Sequence, residues 1–272
     1  MAEITEFGSA KTDLRSVEEL VRLALTEREE EAAWGPVTLL HYKGSREVLE
    51  TAIRLSMSTE ARERKLGADI LGQLGVPERT HPDECFGTLS TMLEGESDSD
   101  VLESIGVAFG HLRDPRAIPL LFPLRSQTDS RVRIGVVMGL MGHEHPDAIS
   151  ALIELSNDEE EDIRDWATFA LGSQISADTA EIRNALFART SDPNDDARCE
   201  AFVGLANRND ERAIEPLLHE LSSGNVSGLA VEAAEALGDP RLYPALVALK
   251  SQLNDSPDSQ ALENALARCA PR

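Results

Sequence analysis

The chain has 272 residues, 41% of them apolar and only 4% aromatic, with 26 basic against 49 acidic side chains and a formal charge of −23 at neutral pH. That charge repels nucleic-acid phosphates and anionic lipid surfaces, and favours a basic or neutral partner. A core so poor in aromatics must be built from Leu, Ala, Val and Ile, which suits close packing of helix on helix and predicts an all-α protein.

The N-terminal residues carry no basic stretch followed by an apolar one, and no apolar run approaches the roughly 20 residues needed to span a bilayer. The expected location is the cytoplasm. Helical spacing of apolar residues begins at Val17 and continues to Leu25, a predicted N-terminal capping helix. Leu40 and Leu71 lie 31 residues apart and give the first sign of a repeat, while Val76 to Pro82, holding two prolines, predicts a longer loop.

From Val101 the repeat becomes regular. Segments starting at Val101, Val132, Ile163, Ala197 and Leu229 align with offsets of 31, 31, 34 and 32 residues. Four residues on stands an apolar side chain (Ile105, Val136, Ala167, Ala201, Ala233), and eight residues on a larger one (Phe109, Leu140, Leu171, Leu205, Leu237), so both share one helical face. Seven residues on, the side chain is always small (Ala108, Gly139, Ala170, Gly204, Ala236), which admits close approach of a neighbouring helix. A short link follows, such as Asp114-Pro115-Arg116 or Asp239-Pro240-Arg241, where proline stops one helix and starts the next. The second helix carries Leu121, Leu152, Leu186, Leu217 and Leu246, each followed by another apolar residue. Helices with one apolar stripe cannot bury it alone, so successive pairs must stack.

Ser259 to Cys269 is predicted to close the far end. The expected architecture is a right-handed α-α superhelix, an α-solenoid of about seven helical pairs, forming one domain over 1–272 with a cap at 1–28, repeats over 29–253 and a capping helix at 257–270.

Residues 114–121 (DPRAIPLL), 212–221 (RAIEPLLHEL) and 231–249 (VEAAEALGDPRLYPALVAL) resemble the short HEAT-like repeats of the phycobilisome-lyase family, and the resemblance covers roughly residues 30–253. It implies the solenoid fold. Proteins built on this repeat include adaptors and scaffolds, bilin lyases, the iron-dependent deoxyhypusine hydroxylase and some DNA-repair glycosylases, so it does not fix an activity. It also implies that the second helix of each pair lines the concave face. The outward positions there form one row through Asn184 and Glu215 and a second through Glu154 and His219, four residues along the helix.

Acids also gather between repeats, above all in the run Asp158, Glu159, Glu160, Glu161 and Asp162. One reading is that such acids cap the following helix and complement its dipole, a job open to Asp162 and Asp196; the other is a surface that steers a basic partner. Trp166 replaces Ser104, Gly135, Glu200 and Glu232 of the other repeats, and an aromatic in a polar row either covers a neighbouring helix or anchors a partner. Arg116, Arg212 and Arg241 recur at one repeat position and read as a ladder to acids of the adjacent repeat.

Chemistry finds little support. Cys85, Cys199 and Cys269 are too scattered for a disulfide framework or a zinc site. His143-Glu144 and His219-Glu220 fall at different repeat positions and cannot face each other as an iron site would require. HExxH, Gly-rich phosphate loops and GxSxG are missing from the sequence. No cofactor or metal is expected. The expected function is a non-catalytic scaffold or adaptor that binds a protein with a basic surface, with no nucleic-acid or membrane partner; the narrower expectation within that class is an acidic immunity or inhibitor protein. The alternative is a bilin lyase or isomerase, resting on the family resemblance.

Overall fold

The computed structural model describes residues 13–27, 30–224, 226–252 and 259–271. Among these are sixteen helices and no strand. Contacts group them into two compact units, Met1–Leu140 and Met141–Arg272. The first holds α1 (Val17–Thr26), α2 (Glu30–Lys43), α3 (Arg46–Ser56), α4 (Ala61–Gly72), α5 (Pro82–Gly95), α6 (Ser99–Leu112), α7 (Ile118–Leu121) and α8 (Ser130–Leu140). The second holds α9 (Pro146–Leu155), α10 (Glu161–Phe169), α11 (Ala180–Arg189), α12 (Asp195–Asn207), α13 (Ile214–Leu221), α14 (Gly228–Leu237), α15 (Tyr243–Gln252) and α16 (Ser259–Cys269).

Local chemistry sets the helix starts. The side chains of Ser16, Ser45, Asp98, Thr179 and Asn194 each accept a backbone N–H of the first turn that would otherwise go unpaired. Asp114, Asp210 and Asp239 do the same for short 3-10 turns, and each also grips the guanidinium two residues on. Those arginines then cross to the preceding repeat. Arg116 reaches Asp83 at 2.8 Å, Arg212 reaches the Asn184 amide oxygen at 2.8 Å, and Arg241 reaches Glu211 at 3.1 Å. The expected ladder exists, with an amide in place of one acid.

Two layers form in each unit. In the first, α4, α6 and α8 lie against one another along their length; in the second, α10, α12, α14 and α16 do so. The small side chains explain it. A Cβ added to Gly106 would sit 2.8 Å from the Gly135 Cα, and one on Gly204 would sit 2.6 Å from the Gly172 Cα, so these backbones are nearly in contact. In the last repeat the rule lapses, because Ala236 is exposed and α16 packs instead near Ala234, whose carbonyl accepts the Cys269 thiol at 3.3 Å. The helices between, α3 and α5 in the first unit and α9, α11, α13 and α15 in the second, meet only sparsely.

This spacing corrects one expectation. A stack whose two layers are spaced unequally bends towards the closer one, so within the second unit the inside of the curve is formed by α10, α12, α14 and α16. The helices expected there, carrying Glu154, Asn184, Glu215 and His219, form the wider-spaced outer layer. Pairing also follows the other turn: α9 packs on α10, α11 on α12 and α15 on α16. The terminal helices expected as caps therefore have partners, α1 against α2 and α16 against α14 and α15. Residues 257 and 258 of the expected C-terminal cap lie outside the described residues.

Candidate functional site

The outer-layer residues do not converge. Glu154, Asn184, Glu215 and His219 are all exposed, and Asn184 is engaged by Arg212. The acidic run Asp158, Glu159, Glu160, Glu161 and Asp162 divides by role. Asp158 closes the turn by accepting the Glu160 N–H at 3.0 Å, and the carbonyls of Asp158 and Glu159 hold Arg164. Glu160 is the N-cap of α10 without a side-chain bond, while Glu161 and Asp162 stand exposed in its first turn, where they complement the dipole. Asp162 and Asp196 do not cap: Asn194 caps α12, and Asp196 lies in the first turn behind it.

Trp166 lies on the inner layer, 41% exposed, with its ring edge-on to Phe169 at 5.8 Å. Helix α10 buries Ile163, Ala167 and Thr168, which turns Asp162, Asp165, Trp166 and Phe169 outward. Helix α12 is buried almost all round and shows only a narrow stripe holding Asp196 and Glu200; α14 contributes Glu232. Asp165, Glu200 and Glu232 thus form a shelf of carboxylates on three successive helices of the inner layer, with the exposed indole of Trp166 on the first of them. Asp165, Glu200 and Glu232 were not singled out from the sequence as binding residues. Their signal was present: the small side chains that mark close helix approach also mark the inner layer, and these acids are its outward positions.

The electrostatics set this shelf apart. Burial, then the neighbouring carboxylates of Asp196, Asp162 and Asp192, push the Asp165 carboxyl up to about 6. Glu200 is also raised, by burial and by Asp165, Glu232 and Asp196, against the opposing pull of a hydrogen bond from the Ser173 hydroxyl at 3.2 Å. Elsewhere acids meet arginine. Arg164 binds the buried Asp192 at 2.9 Å, Arg189 binds the same carboxylate, and Arg198 binds Glu220 at 2.9 Å. Arg164 and Arg198, like Arg64 on Glu96 at 2.7 Å in the first unit, stand one residue into their repeats, a second recurring arginine that sequence reading missed. Only the partner acids, 22 to 32 residues away, give those arginines their meaning.

A pH dependence follows. A carboxyl whose folded pKa is raised costs stability where it is ionised, and that cost fades as pH falls through about 6 towards the unfolded value. Asp210 and Glu96, held down to about 2 chiefly by hydrogen bonds from Arg212 and Arg64, contribute oppositely: their stabilisation is whole above the unfolded carboxylate range and is lost as pH falls towards 2. Asp165→Asn is expected to raise the urea-derived stability at pH 8 by about 1 kcal/mol, the full shift being discounted for partial exposure, and to give no gain at pH 4. An equal gain at both pH values would show that the effect is not electrostatic.

Among the described residues, no three His, Cys, Asp or Glu side chains group as metal ligands, and no helix is long and apolar enough to cross a membrane.

Residues 88–172 match the family profile of HEAT repeats. These repeats are of the HEAT type. Protein YibA of Escherichia coli strain K12 is 27% identical over 224 residues, covering 80% of this chain and 79% of that one. The X-ray structure of Escherichia coli YibA superposes with a TM-score of 0.75 at 24% identity, over 99% of this chain and 97% of that one. Importin beta gives a TM-score of 0.56 at 11% identity, over 99% of this chain and 43% of that one. The last two likenesses establish the HEAT solenoid fold.

Proposed function

We propose that the chain is a non-catalytic protein-binding solenoid, acting as one repeat domain, that captures a partner with a basic surface on the inner layer of its second unit. The observation that carries this reading is the shelf of Asp165, Glu200 and Glu232 beside the exposed Trp166 helix face, where carboxylates act on one another and, among the described residues, no arginine pairs with these three. A cationic partner would relieve that repulsion and cover the indole, coupling fast, salt-sensitive capture to an aromatic anchor. An acidic repeat chain of this kind suits an inhibitor or immunity protein that neutralises a basic toxin, a nuclease being the obvious class. The lyase alternative has no feature of the site behind it.

Affinity capture from extracts of the native host at low salt tests the reading. The expected result is a cationic protein that elutes as salt is raised; Trp166→Ala is expected to weaken its binding about thirtyfold, the effect of losing one aromatic anchor. Recovery of no protein, with turnover of a small molecule instead, would refute it.

A further inference from the structure

A second binding surface lies in the first unit, where α3 and α5 stand apart in the wider-spaced layer. Between them opens a trench of about 640 Å³, within the range of ligand-sized clefts. Its lining is apolar to a degree the sequence conceals. Met57 is 72% exposed at the end of α3, and Ile53 and Met92 form the floor. On α5 the hydroxyls of Thr88 and Thr91 turn back to the carbonyls of Glu84 and Gly87, at 2.8 and 3.0 Å, so polar lining atoms are already satisfied within the helix. Gly87 and Gly95 complete that wall, and a Cβ on either would meet nothing within 4 Å. From Gly87 to Gly95 the trench runs about 12 Å, two turns of an α-helix.

Charge selects the occupant. Arg46 is shared by Glu50 and Glu84 and Arg64 is taken up by Glu96, so these two guanidiniums meet three carboxylates, and Glu94, exposed on α5, adds a fourth. The chain as a whole carries −23, which disfavours a second copy of itself. We propose that this trench is a docking groove for an amphipathic α-helix of a partner protein, seated by aliphatic side chains at helical spacing and flanked by lysine or arginine. Thioether and methyl walls suit such an occupant because they adapt to its side chains. The proposal is independent of the capture surface on the second unit.

The full-length protein is titrated into a fluorescein-labelled helical peptide of about fourteen residues, alanine-based, with leucines at i, i+4 and i+7 and lysines at both ends. Fluorescence anisotropy is expected to show saturable binding. Gly87→Leu and Gly95→Leu, which fill open space and keep the helical circular dichroism, are each expected to weaken it at least about tenfold, as is replacing the peptide's lysines by glutamate. Unchanged affinity in both leucine variants, equal binding of the glutamate peptide, preference for a proline-broken peptide, or no binding at all would each overturn the proposal. Retained binding by Trp166→Ala with Glu200→Gln is expected; loss in that variant alone would move the peptide to the second unit and overturn the groove as well.

Discussion

Replacing Arg208 by alanine is expected to cost about 4 kcal/mol of unfolding free energy, a large share of the 5–15 kcal/mol typical of a folded domain. The side chain is only 7% exposed and has no carboxylate among its hydrogen-bond acceptors. Its guanidinium instead donates to the carbonyls of Leu171, Gly172, Gly204, Ile175 and Ala177 at 2.7 to 3.2 Å. The carbonyls of Leu171, Gly172 and Ile175 are open to it because α10 runs into a π-helical turn at Ala170–Gln174 and then stops, leaving its last acceptors unpaired, while that of Gly204 belongs to α12. One side chain therefore satisfies the end of α10 and ties it to α12. Without it, four buried carbonyls and the half-buried one of Ala177 lose a charged donor together. Arg208→Lys is expected to recover less than half of the loss, since a single ammonium cannot span the same fork of acceptors. Guanidinium chloride unfolding measures both, and a midpoint unmoved by the alanine change would contradict this role.

Gly106→Ala is expected to destabilise by about 3 kcal/mol, while Gly87→Ala stabilises by about 0.5–1 kcal/mol. The two glycines occupy helix interiors and look alike in sequence. At Gly106 the new methyl would strike the Gly135 backbone, which cannot rotate aside, so α6 and α8 must separate along their length. At Gly87 the methyl meets nothing within 4 Å, and only the gain in helix propensity remains. Opposite signs in chemical denaturation are the signature of one closely packed layer and one open one. The same sign at both positions would mean that the layers are spaced alike.

The repeat was legible because its signals are local. Apolar positions at helical spacing, prolines at the links and small residues at Ala108, Gly139, Ala170 and Gly204 predict stacked helices directly. What could not be read was which turn joins a pair and which helix faces inward. An alternating series of helices reads equally well in either pairing, and the choice rests on packing between residues some 30 positions apart, such as Gly106 on Gly135 and Gly172 on Gly204. That one choice moved the expected surface from Glu154, Asn184, Glu215 and His219 to the layer of Asp165, Trp166, Glu200 and Glu232. Acidity misled in a similar way. Asp192 is by sequence one more acid between repeats, yet its side chain is buried between Arg164 and Arg189, whereas Asp165 attracts no notice in sequence and carries the raised pKa.

Under the proposed function the shelf links stability to binding with opposite signs, and that is a demanding test. With the captured cationic partner in hand, its Kd is measured for the wild type and for Asp165→Asn with Glu200→Gln, from low to physiological salt. The expected result is a variant more stable than the wild type at pH 8 that binds at least about tenfold more weakly, with a shallower dependence on salt. A variant that binds as tightly as the wild type, with the same salt dependence, would contradict a basic partner on the inner layer.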